Sequence, residues 1–220
     1  MTNQAKQIPS AVKNQALVRE RRDQIIRGAV KLFIHKGFHK TTTREIAQAC
    51  GLSVGAMYEY IQSKEDVLYL VCDYIHSELE SRLRRVIVEE DSGKESMKKA
   101  VNQLFRVMGE MNDDVLLIYQ ETKSLPSETM KYVLQKEEEI TALFERILEK
   151  GLRDGTIHID PSSIKLMAHN IMVLGQMWTF RRWALHRYYS LEEFARRQTS
   201  LLLNELIRDG GGEENDEKAL

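Results

Sequence analysis

Two short helical segments separated by Gly51-Leu52-Ser53 constrain the fold of this chain more than any other feature of its sequence. They lie in the stretch TTTREIAQACGLSVGAMYEYIQSKED, residues 41–66. Neither segment is long enough to bury much surface alone, so each needs an apolar neighbour. The preceding segment, which stops at Gly37, offers an apolar stripe at helical spacing: Ile25, Ile26, Ala29, Leu32 and Phe33. The sequence therefore predicts a three-helix unit with a helix-turn-helix corner.

Small polar residues mark the beginnings of the two short helices. We expect Thr43 to cap the second helix and Ser53 to cap the third. Met57 and Ile61 are four residues apart, so both are predicted to point inward. The outward face of the third helix is then left to Val54, Gly55, Tyr58 and Glu59.

The rest of the chain favours helix almost throughout, with three prolines and no strand-like alternation. A fourth helix is predicted to open at QSKED and to run through VLYLVCDYIHSELESRLRRVIVEE, and further helices near 95–110, 112–124, 127–151, 161–187 and 190–208. The expected fold is all-α, with about nine helices. Its expected parts are a flexible arm over residues 1–18, a helix-turn-helix domain over 19–66, a second helical domain over 67–208 and a disordered tail over 209–220.

Charge is distributed unevenly along the chain, although the formal net charge is only −1. Residues 1–66 contain 11 Lys and Arg against 6 Asp and Glu, which gives +5, and the remainder carries −6. A basic N-terminal part suggests that this end meets a polyanion, while a solvated charged surface is the alternative. Cys50 and Cys72 lack paired spacing, and no signal peptide or membrane span is predicted, so the expected location is the cytoplasm.

The third helix has the size and the surface chemistry needed to enter the major groove of DNA. Gly55 and Ala56 carry almost no side chain, so the helix can approach base edges closely, and the Ala56 methyl can touch a thymine methyl. Arg44 is a candidate for a bidentate contact to guanine. The candidates for phosphate contacts are Thr42, Thr43, Tyr58, Tyr60 and Lys64.

Four motifs in the segment from about residue 19 to about residue 70 follow one another nearly without interruption: KGF, TTTREIA, GLSVGAMYEY and KEDVLYLV. In these motifs the segment resembles the DNA-binding domain of the tetracycline-repressor (TetR) family of bacterial regulators. Two positions depart from the family pattern. Ala56 stands where Thr or Ser is common, and Glu59 stands where a neutral or basic residue often lies. The Glu59 carboxylate could accept a hydrogen bond from a cytosine amino group. With the cap Ser53, the predicted DNA-binding residues are Thr42, Thr43, Arg44, Ser53, Val54, Gly55, Ala56, Tyr58, Glu59, Tyr60 and Lys64.

The resemblance also implies roles for the larger half of the chain. The C-terminal helices of the family form a ligand chamber, and the last two, here 161–187 and 190–208, pair with a second subunit. Leu202, Leu203 and Leu206 suit such pairing. The implied function is a ligand-responsive regulator, usually a repressor, that binds an inverted-repeat operator as a homodimer and is released by a small molecule.

The nature of that small molecule is suggested by HNIMVLGQMWTFRRWALHRYY, where Met and aromatic residues are mixed with arginines. The hypothesis is a hydrophobic or amphipathic anion resembling a fatty acyl-CoA, and the main rival is a drug-like cation held by Glu121 or the KEEE segment. A third alternative is that the aromatics are core and the arginines are surface charges. The candidate ligand-binding residues are Tyr119, His169, Met172, Met177, Trp178, Arg181 and Arg182.

No enzymatic activity, cofactor or metal site is predicted. Helical metal-carboxylate enzymes use paired Glu-x-x-His motifs, and the nearest match is a single Asp73-x-x-His76. His35 and His39 are separated by Gly37, which interrupts their helix. The alternatives to a DNA-binding regulator are a dimeric helical ligand-binding or interaction protein without a DNA role and, less favoured, an all-helical metal-carboxylate enzyme.

Overall fold

A computed structural model describes Lys6 and residues 8–207 of the 220-residue chain. These residues form nine α-helices and two short 3-10 helices, Thr122–Ser124 and Pro161–Ser163, with no strand among them, which confirms the predicted all-α fold. The α-helices are α1 (Gln15–Lys36), α2 (Thr43–Ala49), α3 (Val54–Tyr58), α4 (Lys64–Arg84), α5 (Gly93–Glu110), α6 (Asn112–Glu121), α7 (Ser127–Arg153), α8 (Ile164–Leu185) and α9 (Leu191–Ile207). The predicted tail over 209–220 lies outside the described residues.

Two helix ends differ from the sequence-based expectation. Helix α1 begins at Gln15, inside the arm predicted over residues 1–18, because the Asn14 side chain caps it by accepting from the backbone N–H groups of Ala16 and Leu17 at 3.1 and 3.2 Å. Helix α4 was predicted to continue through residue 90 and ends at Arg84. The residues that follow include Val86–Val88, whose branched side chains disfavour helix.

The described chain forms two compact units, and their division differs from the predicted boundary after residue 66. The first unit contains the described residues up to Glu80 together with Met111–Glu139. The second contains Ser81–Glu110 and the described residues from Ile140 onward. The difference arises because α6 and the first part of α7 belong to the same compact unit as α1, α2, α3 and most of α4, and α1 contacts α6 directly.

The first unit is built around the apolar stripe of α1. Ile25, Ala29 and Phe33 are buried, and α1 packs against α2, which in turn contacts α3. Met57 and Ile61 are fully buried, as their four-residue spacing predicted. The three-helix arrangement predicted for the N-terminal part is therefore confirmed.

In the second unit, α5 packs against both α8 and α9. The Phe194 ring centroid lies 5.6 Å from that of Phe105 and 5.1 Å from that of Trp178. The expectation that the α9 leucines form the dimer surface was wrong, because they lie buried in this unit: Leu202, Leu203 and Leu206.

Both cysteines are free and buried. Burial raises the pKa of the Cys50 thiol, and it raises the pKa of Cys72 to about 12. Neither side chain is therefore suited to act as a thiolate near neutral pH. Among the described helices, none has the length and apolar character needed to cross a membrane.

Candidate nucleic-acid interface

Helix α2 begins with a capping box, and its N-cap differs from the predicted Thr43. Thr42, and not Thr43, is the N-cap. The Thr42 hydroxyl accepts from the Glu45 N–H at 3.3 Å, while the Glu45 carboxylate accepts from the Thr42 N–H at 2.8 Å. The spacing Thr-x-x-Glu is the sequence signal for this arrangement, and it begins at Thr42. Lys36 also pairs with Glu45 and so ties the end of α1 to the start of α2.

The turn between α2 and α3 depends on Gly51. Its φ is +65°, a left-handed conformation that residues with a Cβ rarely adopt. The next residue, Leu52, donates its N–H to the Ala47 carbonyl at 2.9 Å, which folds the turn back on α2. Helix α3 then begins at the predicted cap, because the Ser53 hydroxyl accepts from the Ala56 N–H at 3.1 Å.

Helix α3 presents one face to solvent and one to the core. Gly55 is exposed, and a Cβ built on it would meet no atom within 4 Å, so the surface above it is open. Ala56 and Val54 are partly exposed, and Tyr58 is 44% exposed. Met57 faces the core. A short helix thus offers a shallow surface next to an accessible phenol.

Other predicted DNA-binding residues lie around this surface in different environments. Thr42 and Arg44 at the start of α2 are exposed, as is Glu59 after α3, and Thr43 is half-buried. Tyr60 is only 7% exposed, so its ring is packed within the protein. Of the two tyrosines that the sequence proposed, Tyr58 is therefore the accessible one.

Lys64 is anchored within the first unit. Its Nζ donates to the carbonyl oxygens of Phe38 and Thr41 at 3.0 and 3.1 Å, and it lies 4.3 Å from the Phe38 ring centroid. This ammonium therefore holds the connection between α1 and α2 at the start of α4. Lys64 is predicted from the sequence to contact phosphate, and no sequence pattern indicates these backbone partners.

The predicted ligand-binding residues fall into buried and exposed sets. In the second unit, Met172 and Trp178 are buried, and Met177 is half-buried with the Gln198 amide 3.7 Å from its sulfur. Tyr119, in the first unit, is 69% exposed. Three further candidates in the second unit are exposed: His169, Arg181 and Arg182. The Arg181 guanidinium lies 5.4 Å from the centroid of the Trp183 ring.

A cavity of about 400 Å³ opens in the second unit beside the end of α8 and the middle of α9. None of the seven predicted ligand-binding residues lines it. Its lining joins apolar and basic groups: Leu185, Tyr189, Phe194, Arg196, Arg197, Gln198, Ser200 and Leu201. Arg197 is already bonded to Glu193 at 2.9 Å. Within the described part of the chain, no group of three His, Cys, Asp or Glu side chains is placed to hold a metal ion.

Comparisons with known proteins agree with this geometry. Residues 25–69 match the family model of bacterial regulatory proteins of the tetR family, and residues 90–206 match that of the tetracyclin repressor-like C-terminal domain. The chain is 30% identical over 209 residues to the HTH-type transcriptional regulator HbdR of Aromatoleum sp. (strain CIB), covering 94% of this chain and 90% of HbdR.

Solved structures show the same fold. A tetR-family regulatory protein from Rhodococcus RHA1 superposes with a TM-score of 0.75 at 25% identity, covering 86% of this chain and 99% of that one. AibR, solved in complex with isovaleryl coenzyme A and operator DNA, superposes with a TM-score of 0.71 at 18% identity, covering 83% of this chain and 98% of AibR.

Replacing Glu45 with Gln tests the electrostatic part of the α2 cap. The bond from Lys36, followed by those from Thr42, lowers the pKa of Glu45 to about 2. Because the pKa is lower in the folded state, this stabilisation is complete above the unfolded pKa of about 4.3 and is lost as pH falls toward the folded value. We expect the Tm difference between wild type and Glu45→Gln, followed by circular dichroism, to shrink between about pH 5 and about pH 3.

Glu20→Gln, at an exposed position of α1, is the matched control and should show no such convergence. A Tm difference for Glu45→Gln that stays constant over this pH range would contradict the assignment.

Proposed function

The chain belongs to the TetR family of bacterial regulatory proteins, and we propose that it is a ligand-responsive transcriptional regulator, acting as a repressor, that binds an inverted-repeat operator as a homodimer. The exposed face of α3 is the observation that carries the proposal. It combines the open surface above Gly55 with the accessible hydroxyl of Tyr58. Bacterial operator DNA lies in the cytoplasm, which is the proposed place of action.

Five residues of the proposed interface have roles that follow from their chemistry and position. Gly55 and Ala56 let α3 approach base edges, because neither has a side chain that would hold the helix away. The Tyr58 hydroxyl donates a hydrogen bond to a phosphate oxygen and so fixes the position of α3 along the duplex. Arg44 is exposed in the first turn of α2 and is the proposed contact to guanine. Lys64 contributes to the interface mainly by holding the α1–α2 connection, because its ammonium already donates to two backbone carbonyls.

Replacing Tyr58 with Ala tests this interface. The variant loses one phosphate hydrogen bond in each of the two half-sites, so its Kd for operator DNA should rise at least about tenfold, which corresponds to roughly 1.4 kcal/mol or more. Fluorescence anisotropy on DNA from the upstream region of its own gene, with a scrambled duplex as competitor, measures the change. Tyr74→Ala is the matched control, because Tyr58 and Tyr74 are equally exposed at 44% and Tyr74 lies on α4.

Equal losses in the two tyrosine variants would contradict a specific role for α3. Wild-type protein that binds no duplex more tightly than scrambled DNA, even after selection from random sequences, would favour a helical ligand-binding module without a DNA role.

The homodimer proposal is supported by exposed apolar side chains on one side of α8. Leu166 and Val173 are seven residues apart, close to two helical turns, so they share that side. Within the second unit, Leu166 is 64% exposed and Val173 is 60% exposed on this side, while Leu201 on α9 is 65% exposed. A second copy related by a two-fold axis would cover these groups with its own, and the operator would then be an inverted repeat.

Replacing Val173 with Glu places a charge in the proposed interface of both subunits. Burial of two carboxylates is unfavourable, so the dimer dissociation constant should rise at least about tenfold by sedimentation equilibrium. Val88→Glu is the control, since Val88 is also exposed but lies between α4 and α5. A dimer that tolerates Val173→Glu as well as Val88→Glu would contradict the proposed face.

The proposed effector is an amphipathic anion of the acyl-CoA class. The exposed Arg181 and Arg182 can pair with its phosphates, and AibR, which shares the fold, was solved with isovaleryl coenzyme A bound. Helix α4 carries residues of both units, with Lys64–Glu80 in the first and Ser81–Arg84 in the second. An effector that binds better to a state with low operator affinity would release the DNA.

Titrating operator-bound protein with acyl-CoAs of increasing chain length tests the effector class. At least one chain length should weaken operator binding about tenfold or more, a typical coupling, whereas coenzyme A alone should not. Arg181→Ala and Arg182→Ala should each reduce the response. Release by tetraphenylphosphonium, a lipophilic cation, without any effect of acyl-CoAs would favour the rival class instead.

A further inference from the structure

An extended segment before α1 runs across the elements that carry the interface. We name the described residues of this segment, Lys6 and residues 8–12, the strap. Its clearest contacts are to Glu59, directly after α3. The Ser10 hydroxyl donates to the Glu59 carbonyl at 2.8 Å, and the Ala11 N–H donates to the same oxygen at 3.0 Å. Two donors of the strap therefore meet at the C-terminal end of α3.

A five-residue helix needs such partners. Helix α3 spans only Val54–Tyr58, so nearly all of its backbone groups belong to one end or the other. Ser53 satisfies an N–H group at the start of the helix. Without the strap, the Glu59 carbonyl would lose both of these protein donors, and a helix of this length has little cooperative stability of its own.

Arg22 on α1 joins the strap to the same region. Its Nη2 donates to the Ile8 carbonyl at 2.6 Å, and its Nε donates to the Tyr60 carbonyl at 3.0 Å. One planar guanidinium thus bridges the strap, the end of α3 and α1. Burial lowers the pKa of Arg22, and the nearby Asp66 carboxylate opposes this effect.

The first residue of the strap is held at the start of α4. Lys6 pairs through Nζ with the buried Asp66, and its backbone N–H donates to the Tyr69 hydroxyl at 3.0 Å. Asp66 also accepts from the N–H groups of Gln62 and Ser63 at 2.9 and 3.1 Å. Ile8 is buried, so the strap has an apolar anchor between its polar contacts.

We propose that the strap, together with Arg22 of α1, is a positioning element for DNA recognition: Ser10, Ala11 and Arg22 fix the end of α3 and thereby set the orientation of its exposed face. This inference rests on the proposed operator binding by α3. The positioning residues touch backbone carbonyls and act on DNA only through α3. Operator affinity therefore depends on a segment whose contacts lie within the protein.

The rival role for this segment is direct contact with DNA phosphates by Lys6 and Lys13. The two roles have different ionic signatures. Each phosphate contact made by a cation contributes about 0.9 to the slope of log K against log salt concentration. A positioning contact contributes nothing to that slope, because it releases no counterion.

Hydrogen exchange of the full-length chain without DNA tests the structural half of the inference. Ser10→Ala and Arg22→Gln should each accelerate exchange of the Met57, Glu59 and Tyr60 amides about fivefold, the effect of losing one ordinary hydrogen bond. Lys13→Ala and Arg19→Ala are the controls, because both side chains are exposed on or near the start of α1. Unchanged exchange in Ser10→Ala and Arg22→Gln would overturn the inference.

Operator binding tests the functional half. Ser10→Ala should raise the operator Kd about fivefold, with no change in the Kd for scrambled DNA and no change in the salt slope. Arg22→Lys keeps the charge but lacks the fork that reaches two carbonyls, so it should bind operator as weakly as Arg22→Gln. Rescue by Arg22→Lys, or operator affinity unaffected by Ser10→Ala, would overturn positioning.

The two proposals fail in distinguishable ways. A salt slope that falls by about 1.8 in Lys13→Ala, about 0.9 for each of the two subunits, together with unchanged α3 exchange in Ser10→Ala, would assign the residues before α1 to phosphate contact and overturn the positioning role of the strap. Wild-type protein without a specific operator would remove the proposed function, and the inference with it, even if exchange shows that the strap holds α3. If Arg22→Gln fails to fold, Ser10→Ala provides the same readouts.

Discussion

The proposed DNA-binding surface of this protein lies on a helix of five residues, and a helix that short depends on the groups that satisfy its ends. Ser53 caps its start, Met57 anchors it in the core, and Ser10 and Ala11 donate to the carbonyl that follows it. Because the surrounding chain supplies these contacts, the exposed residues of α3 need not stabilise the helix. Gly55 can therefore stay without a side chain, although glycine disfavours helix.

Several charged side chains near the proposed interface likewise bond to the protein's own backbone. Lys64 holds two carbonyls of the α1–α2 connection, Arg22 bridges two more, and Glu45 completes the cap of α2. Each of these groups shapes the loop or helix end that presents the outward residues. Charged side chains near the proposed interface thus stabilise the protein itself.

Much of the fold was predictable from sequence because its signals are local. The α1 stripe, the Ser53 cap and the inward Met57 follow from spacing and residue type. The Thr42 cap was missed although Thr-x-x-Glu signals it, since two neighbouring threonines compete for the role. Leu202, Leu203 and Leu206 were assigned to the wrong surface, because an apolar stripe shows that a helix has a buried face but does not identify what covers it.

Contacts to backbone carbonyls could not be predicted in the same way. Every residue has a carbonyl, so nothing in the sequence marks those of Ile8, Tyr60 or Phe38 as partners of Arg22 and Lys64. The ligand-binding residues were difficult to predict for a related reason, because Met and aromatic side chains occur in protein cores as well as in binding sites. Trp178 packs against Phe194, and the described cavity of the second unit is lined by other residues.

Recognition of operator DNA by paired α3 helices can be tested by selecting DNA from a random-sequence pool with the purified protein and sequencing the bound fraction. We expect enrichment of one inverted repeat whose half-site centres lie about 10 base pairs, or a multiple of that distance, apart. A bound fraction no different from the starting pool, or one enriched only in a single asymmetric site, would contradict recognition by paired α3 helices.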